Sequence, residues 1–437
     1  MSTEALGRGI AHGGRWSAWA SRAPAMAAQT RAHPITRWGF YLYVFSIPLE
    51  YPDRTLPFDY ATLMGGVFLL AAAFSPRVCF GRMSVPVAWY WAFLYVWIGA
   101  FALNGGHYPD LVLQAFLRLL QLVLILWASI NLMRDERTRQ ATLLALSLSC
   151  LILAALQVTE VANAPADFGG GLQRATVLGQ NPNRTGRFLA GAALVLVGLS
   201  YGRARSILGP RWLAWPLLGL LALAMVQGGS RGAMLSLAIG MFTFTLAGGT
   251  LGTKIRNSLV ATLVVGVLAW IAIQSPLMQK RFEQAESGNL AGREEIFPTA
   301  FEMFRERPLV GWGPIRTYFE LASRLPEHGS ERRDTHNLVL ELLTSTGALG
   351  TTFCLTAVAL CVLAAWRARR GPEGVLPLAL MTLVLIGNMS GNFLVFKLYW
   401  IYQAYAVGSA LALRDGARES PSHRLARRAR AGGNIES

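Results

Sequence analysis

The chain consists of repeated apolar stretches of about 16 to 22 residues, separated by short loops rich in Gly, Pro or Arg, and a helix needs roughly 20 residues to cross a hydrocarbon layer. Inside such a layer every backbone polar group has to be satisfied within the protein, so the pattern admits little besides a bundle of spanning helices. About twelve stretches fit this length: 35–49, 59–74, 86–104, 111–131, 140–159, 186–201, 212–227, 232–248, 257–274, 336–365, 373–389 and 393–413. Of the 437 residues 53% are hydrophobic and only 15% charged, which excludes an ordinary soluble domain. The expected fold is an all-α polytopic membrane protein.

Lys and Arg set its orientation. With the N-terminus inside, Arg77, Arg82, Arg134, Arg137, Arg139, Arg203, Arg205, Lys254, Arg256, Arg367, Arg369 and Arg370 fall on the inner side together with the two basic tails, as the positive-inside rule requires. The formal net charge of +16 then reports topology and attraction to anionic lipid, with no implication of nucleic acid. The expected division is a basic cytoplasmic tail over 1–34, helices one to nine over 35–274, an outer helical loop over 275–335, helices ten to twelve over 336–413 and a second cytoplasmic tail over 414–437. No short apolar core precedes the first span, so that span is expected to be retained rather than cleaved. Cys79 falls in an inner loop and Cys150, Cys354 and Cys361 in spans, which argues against a disulfide framework.

Three outer segments are more than minimal connections. In the long loop, Ile296, Phe297, Ala300, Phe301 and Phe304 recur at helical spacing, so 293–307 is expected to be an amphipathic helix ended by Pro308. A second helix can start near Pro314, with Ile315, Tyr318, Phe319 and Leu325 as its apolar side; the loop is either a lid over the outer mouth or a connecting ectodomain. In 160–187 a glycine run leads into Asn181, Pro182, Asn183, Arg184 and Arg187, a capped helix start whose arginines can face a phosphate or snorkel to headgroups. In QGGSRGA, residues 227–233, Ser230 can cap the following helix and Arg231 projects at its positive end, where a guanidinium can grip a pyrophosphate bidentately or snorkel to headgroups.

His336 opens the tenth span directly after Asp334 and Thr335, a position from which an imidazole can take a proton from a hydroxyl. Arg118 lies inside the fourth span in step with Gln114 and Gln121, where it can reach a lipid phosphate, backbone carbonyls or Glu341. Arg231, Arg293 and His336 thus come from three separate polar segments on the same side of the bilayer, the side poor in positive charge. They are expected to meet around an anionic ligand.

The set GGSRGA, GREE followed by RPLVGWG, and THNLVLELLTSTGALG resembles the O-antigen ligase family, and the NPN segment ahead of the sixth span is similar to that family's pattern. The motifs run from about 180 to 350, and the span layout extends the likeness over nearly the whole chain. The resemblance implies a GT-C-like glycosyltransferase of the lipid-linked-sugar type in the bacterial inner membrane, which moves a polysaccharide from undecaprenyl pyrophosphate to the lipid A core at the periplasmic face. Carried over by motif, Arg231, Arg293 and His336 are the catalytic residues, with Arg118, Asn183, Arg184, Arg187, Ser230 and Asn337 as substrate contacts. No cofactor is expected, and the absence of Asp-x-Asp with Glu294 and Glu295 adjacent points to metal-independent transfer; attack from the face opposite the pyrophosphate would invert the anomeric centre. A repeat-unit polymerase or a protein-glycosylating enzyme would use the same donor. The end of the chain soon after the last span modestly favours the ligase, and polar residues concentrated at one surface disfavour a flippase or transporter.

Overall fold

The structure is a computed structural model and describes residues 31–50, 59–161, 163–167, 173–201, 211–246, 250–286, 292–326, 329, 331–391 and 394–418. Most of both basic tails and the loop arginines Arg203 and Arg205 lie outside the described residues. The helices are α1 (Pro34–Ser46), α2 (Tyr60–Ala72), the single turn α3 (Pro76–Cys79), α4 (Val85–Leu103), α5 (Pro109–Leu132), α6 (Glu136–Val158), α7 (Pro182–Tyr201), α8 (Ala214–Gln227), α9 (Arg231–Thr243), α10 (Leu251–Gln274), α11 (Pro276–Glu286), α12 (Arg293–Glu306), α13 (Arg316–Ser323), α14 (Leu338–Ala368), α15 (Leu376–Asn388) and α16 (Lys397–Arg418).

A helix lies on each stretch expected to cross. Five of them, α4, α5, α6, α10 and α14, are long and apolar enough to span a membrane, and α2, α8 and α15 are shorter apolar helices. The chain is therefore a helical membrane protein. Its outward surface is itself apolar: α10 exposes Leu251, Ile255, Leu259, Leu263, Trp270 and Ile273, the face a helix presents to lipid. All four cysteines are free and buried.

Inside the bundle α16 packs against α14, α5 and α15 with Tyr399, Trp400, Tyr402 and Tyr405 fully enclosed. The Tyr90 hydroxyl of α4 donates to Gln403 Oε1 at 2.5 Å. Small residues let helices approach: a Cβ added at Gly186 on α7 would stand 2.8 Å from Ala233 on α9.

Two elements were not foreseen. Asn163–Asp167 and Gln173–Val177 form a two-stranded antiparallel hairpin, β1 and β2, in register from Asn163 opposite Val177 to Asp167 opposite Gln173. Its strands are only five residues each and flank a glycine run, so the segment carries no long alternating pattern. The second is α11, a charged helix at the start of the long loop.

The rest of that loop follows the sequence closely. The first amphipathic helix ends at Glu306, Arg307 leaves helical geometry ahead of Pro308, and the second helix begins at Arg316, just past Pro314. What the sequence does not announce is how the loop docks. Helix α14 is broken at Gly347, where φ is 64° and ψ −167°. The break frees backbone groups, and the segment Pro308–Gly313 takes them up: Trp312 N donates to Thr344 O at 2.7 Å and Gly313 N to Ser345 O at 3.0 Å, while Ala348 N donates to Pro308 O at 2.8 Å. Non-helical backbone at such depth is tolerated only where protein satisfies it in this way. Trp312 then anchors the loop helices, with its Nε1 on Met303 O at 2.9 Å and the guanidinium groups of Arg307, Arg324 and Arg316 at 4.2, 5.0 and 5.6 Å from its ring. Arg307 also donates to Asn104 Oδ1 at 2.6 Å, tying the loop to the end of α4.

Gly311 has φ 65°, and a Cβ there would stand 2.5 Å from Thr344 O. Gly311→Ala is expected to lower stability by at least about 2 kcal/mol, because a left-handed residue with a side chain is strained before any overlap is counted. Gly219→Ala, whose added Cβ meets nothing within 4 Å, is expected to be neutral or better. Thermal unfolding in detergent checks both, and equal midpoints would rule out the docking as a stabilising contact.

Candidate active site

Two of the helices that build the site begin with arginine. The tight turn Gly228–Gly229, with Gly229 at φ 61°, places Ser230 as the cap of α9, its Oγ accepting from Ala233 N at 3.4 Å, so that Arg231 is the first helical residue. Likewise Gly292, at φ 78°, sets Arg293 as the first residue of α12. Cations are ordinarily favoured at the opposite helix end, and a guanidinium beside unpaired backbone N–H groups makes a donor-rich pole suited to an anion.

These poles meet around the turn that follows α15. Arg293 Nη2 donates to Ser390 O at 3.2 Å, and Arg187 Nη2, from α7, donates to Ser390 Oγ at 2.9 Å and Gly387 O at 3.4 Å. A Cβ added at Gly232 would lie 3.1 Å from Ser390 Oγ, so the second residue of α9 also borders this turn. Arg231 Nη1 donates to Arg281 O at 2.6 Å, which brings α11 against the start of α9.

The electrostatics confirm the crowding of positive charge. Burial, and then the charges of Arg231 and Arg293, pull the Arg281 guanidinium below its usual range. Arg293 is lowered by burial and by Arg231, against the opposing influence of Asp334 and Glu294. Neither Arg231 nor Arg293 forms an ion pair with a described residue. The other end of the bundle is different: there Arg134 pairs with Asp415, and Arg139 with Glu373 at 2.5 Å.

His336 stands beside this cluster. Its Nδ1 lies 2.7 Å from Asp334 Oδ1, its backbone N donates to the same oxygen at 2.6 Å, and its side chain is 45% exposed. Burial alone would raise the Asp334 carboxyl, but the His336 ring, its backbone N–H and Arg293 hold it below the usual carboxylate range. Asn337 caps α14 by accepting from Val339 N at 2.9 Å and Leu340 N at 3.1 Å, and its Nδ2 donates to Met389 O at 3.3 Å, next to Ser390.

Of the residues singled out by sequence, Arg231, Arg293, His336 and Arg187 are thus brought together. Ser230 and Asn337 serve as caps, and the Asn183 carbonyl accepts from Arg187 Nη1 at 3.2 Å. Arg184 goes elsewhere: it pairs with Glu50, which also takes Lys397 Nζ at 3.0 Å, and Lys397 reaches Asp59 Oδ1 at 2.8 Å. Arg118 is exposed on α5, with neither hydrogen bond nor ion pair to a described residue. Sequence reasoning missed Arg281, Ser390 and the positioning of Asp334. Arg281 sits in the charged run QKRFEQ, whose only signal was its place in the long outer loop.

Guanidinium groups from α7, α9 and α12 and the His336 imidazole are thus gathered at one end of a helical bundle. Residues 216–355 match the family model described as O-antigen ligase. The matched segment contains Arg231, Arg281, Arg293, Asp334 and His336 and leaves out Arg187 and Ser390. No curated protein matches the sequence.

Lys397→Ala leaves Glu50 and Asp59 facing each other at a site where Glu50 is 4% exposed, and is expected to destabilise by about 3 kcal/mol or more, as removal of one partner of a buried pair does. Arg184→Ala should cost less, since its side chain is 33% exposed. The difference in thermal midpoints tests whether this network ties the end of α1 to the starts of α2 and α16.

Proposed function

We propose that this protein is a glycosyltransferase that ligates an O-antigen polysaccharide, carried on undecaprenyl pyrophosphate, to the lipid A core at the periplasmic face of the bacterial inner membrane. The observation that carries the reading is the gathering of Arg231, Arg281 and Arg293 beside the Asp334–His336 pair. The domain match supports O-antigen ligase or polymerase chemistry in general, with lipid-linked polysaccharide as the substrate class.

A sugar bonded to a pyrophosphate already has a good leaving group. The enzyme needs to neutralise charge developing on the departing phosphate and to remove a proton from the acceptor hydroxyl. Arg231 and Arg293 do the first, with donor-rich helix poles behind them; His336 does the second. The acceptor oxygen attacks the anomeric carbon from the face opposite the pyrophosphate, the bond to the phosphate oxygen breaks with its electron pair, and the configuration inverts. Guanidinium groups supply the positive charge that a divalent ion supplies elsewhere, so transfer proceeds without metal. Arg187 holds the Ser390 turn, while Arg184 and Arg118 stand outside the reaction centre. All of the expected spans cross the membrane, and both termini are cytoplasmic.

In nanodiscs offered the lipid-linked glycan and lipid A core, His336→Ala is expected to abolish transfer, and unchanged turnover would remove His336 as base. Arg231→Ala and Arg293→Ala should each reduce turnover by about 10²- to 10³-fold, the loss typical of one oxyanion-type donor, and raise the donor KM. Activity should survive exhaustive chelation, whereas loss restored by Mg²⁺ contradicts the metal-free reaction. Preference for a repeat unit or a protein over lipid A core in the same assay would reassign the acceptor.

A further inference from the structure

Among the described residues the Asp334 carboxylate holds the His336 ring, and its chemistry decides which nitrogen carries the proton. We propose that Asp334 is the positioning residue for His336, fixing the tautomer that leaves Nε2 able to accept the acceptor's proton and balancing the imidazolium that results. The inference rests on the reading of His336 as base.

Asp334 Oδ1 lies 2.7 Å from Nδ1 and 2.6 Å from the backbone N of His336. An ionised carboxylate has lone pairs and no proton to donate, so Nδ1 carries the hydrogen and the lone pair of the neutral ring is on Nε2. The backbone around it is set as firmly. His336 has φ 50°, a left-handed conformation that residues with side chains rarely adopt. It is fixed on one side by the bond to Asp334 and on the other by Asn337, which caps α14 and reaches Met389. Thr335 is 1% exposed, and its hydroxyl donates to Asn337 O at 2.9 Å. The ring is pinned at Nδ1 while the side chain stays 45% exposed.

Asp334 also links His336 to the arginine cluster, because the positive charge of Arg293 acts on the same carboxylate. In the step itself, the acceptor O–H proton goes to Nε2, the oxygen–carbon bond forms, and the carbon–phosphate-oxygen bond breaks with its electron pair leaving on the pyrophosphate. The imidazolium then faces a carboxylate at Nδ1 and later returns its proton to water. Atoms and charges balance without another reactant.

The test uses the full-length protein in nanodiscs with lipid-linked glycan and lipid A core. Asp334→Asn keeps an oxygen for the His336 backbone N–H but has no charge. It is expected to lower kcat by about 10²-fold or more while leaving both KM values near wild type, since a wrong tautomer spoils a base without unmaking the binding site. Asp334→Glu should recover part of the loss. Nitrogen-15 spectra of labelled histidine, with the His336 signals assigned by their disappearance in His336→Ala, should show Nδ1 protonated in wild type and a shift toward Nε2 protonation in Asp334→Asn. Wild-type kcat in Asp334→Asn, or a loss of activity with the tautomer unchanged, overturns the proposal. Activity in His336→Ala overturns the underlying reading instead, so the two failures are told apart.

Discussion

Like charges brought together from distant parts of a chain repel, and near a protein surface two unit charges about 4 Å apart do so by about 4 kcal/mol. Arg231, Arg281 and Arg293 are nonetheless held within electrostatic reach of one another. The repulsion has to be offset by contacts outside the cluster, and much of this end of the bundle does that. Arg187 and Arg293 share the Ser390 turn, Arg231 grips the α11 backbone, and the long loop is locked to α14 by main-chain hydrogen bonds. Main-chain contacts suit the purpose because they carry no charge to cancel the site's own.

The break at Gly347 is central to that arrangement. An unbroken α14 would offer the loop no free carbonyls. With the break, Pro308–Gly313 supplies the missing partners, and the helix that starts at Arg293 is set against the helix that starts just after His336. The motifs RPLVGWG and STGALG are therefore scaffolding: one fills the gap in the other, and the polar residues of the site project from the ends of the elements they join. Arginines at the opposite end have Asp415 and Glu373 as counter-charges.

Much of the fold was legible because its signals are local. Apolar stretch length placed the helices, Pro182 and Pro308 marked a start and a stop, and the spacing of Ile296, Ala300 and Phe304 announced α12. The hairpin at 163–177 and helix α11 were not legible. Five-residue strands and a short charged helix have too few residues for a periodic pattern to stand out.

Arg184 and Arg187 show where local information ends. They are three residues apart on α7 and look equivalent in sequence, yet one pairs with Glu50 while the other is 2% exposed and bonded to Ser390, a residue 203 positions away. Arg118, from which a lipid phosphate, backbone carbonyls or Glu341 looked reachable, is exposed and makes no hydrogen bond or ion pair with a described residue. By itself the sequence determined the membrane class, the helix positions and the polar segments carrying Arg231, Arg293 and His336, since hydropathy, capping and helix periodicity act over neighbouring residues. Only the tertiary structure decided which cations gather, that Arg281 and Ser390 join them, and that Asp334 holds the imidazole, because those partnerships depend on how distant helices pack.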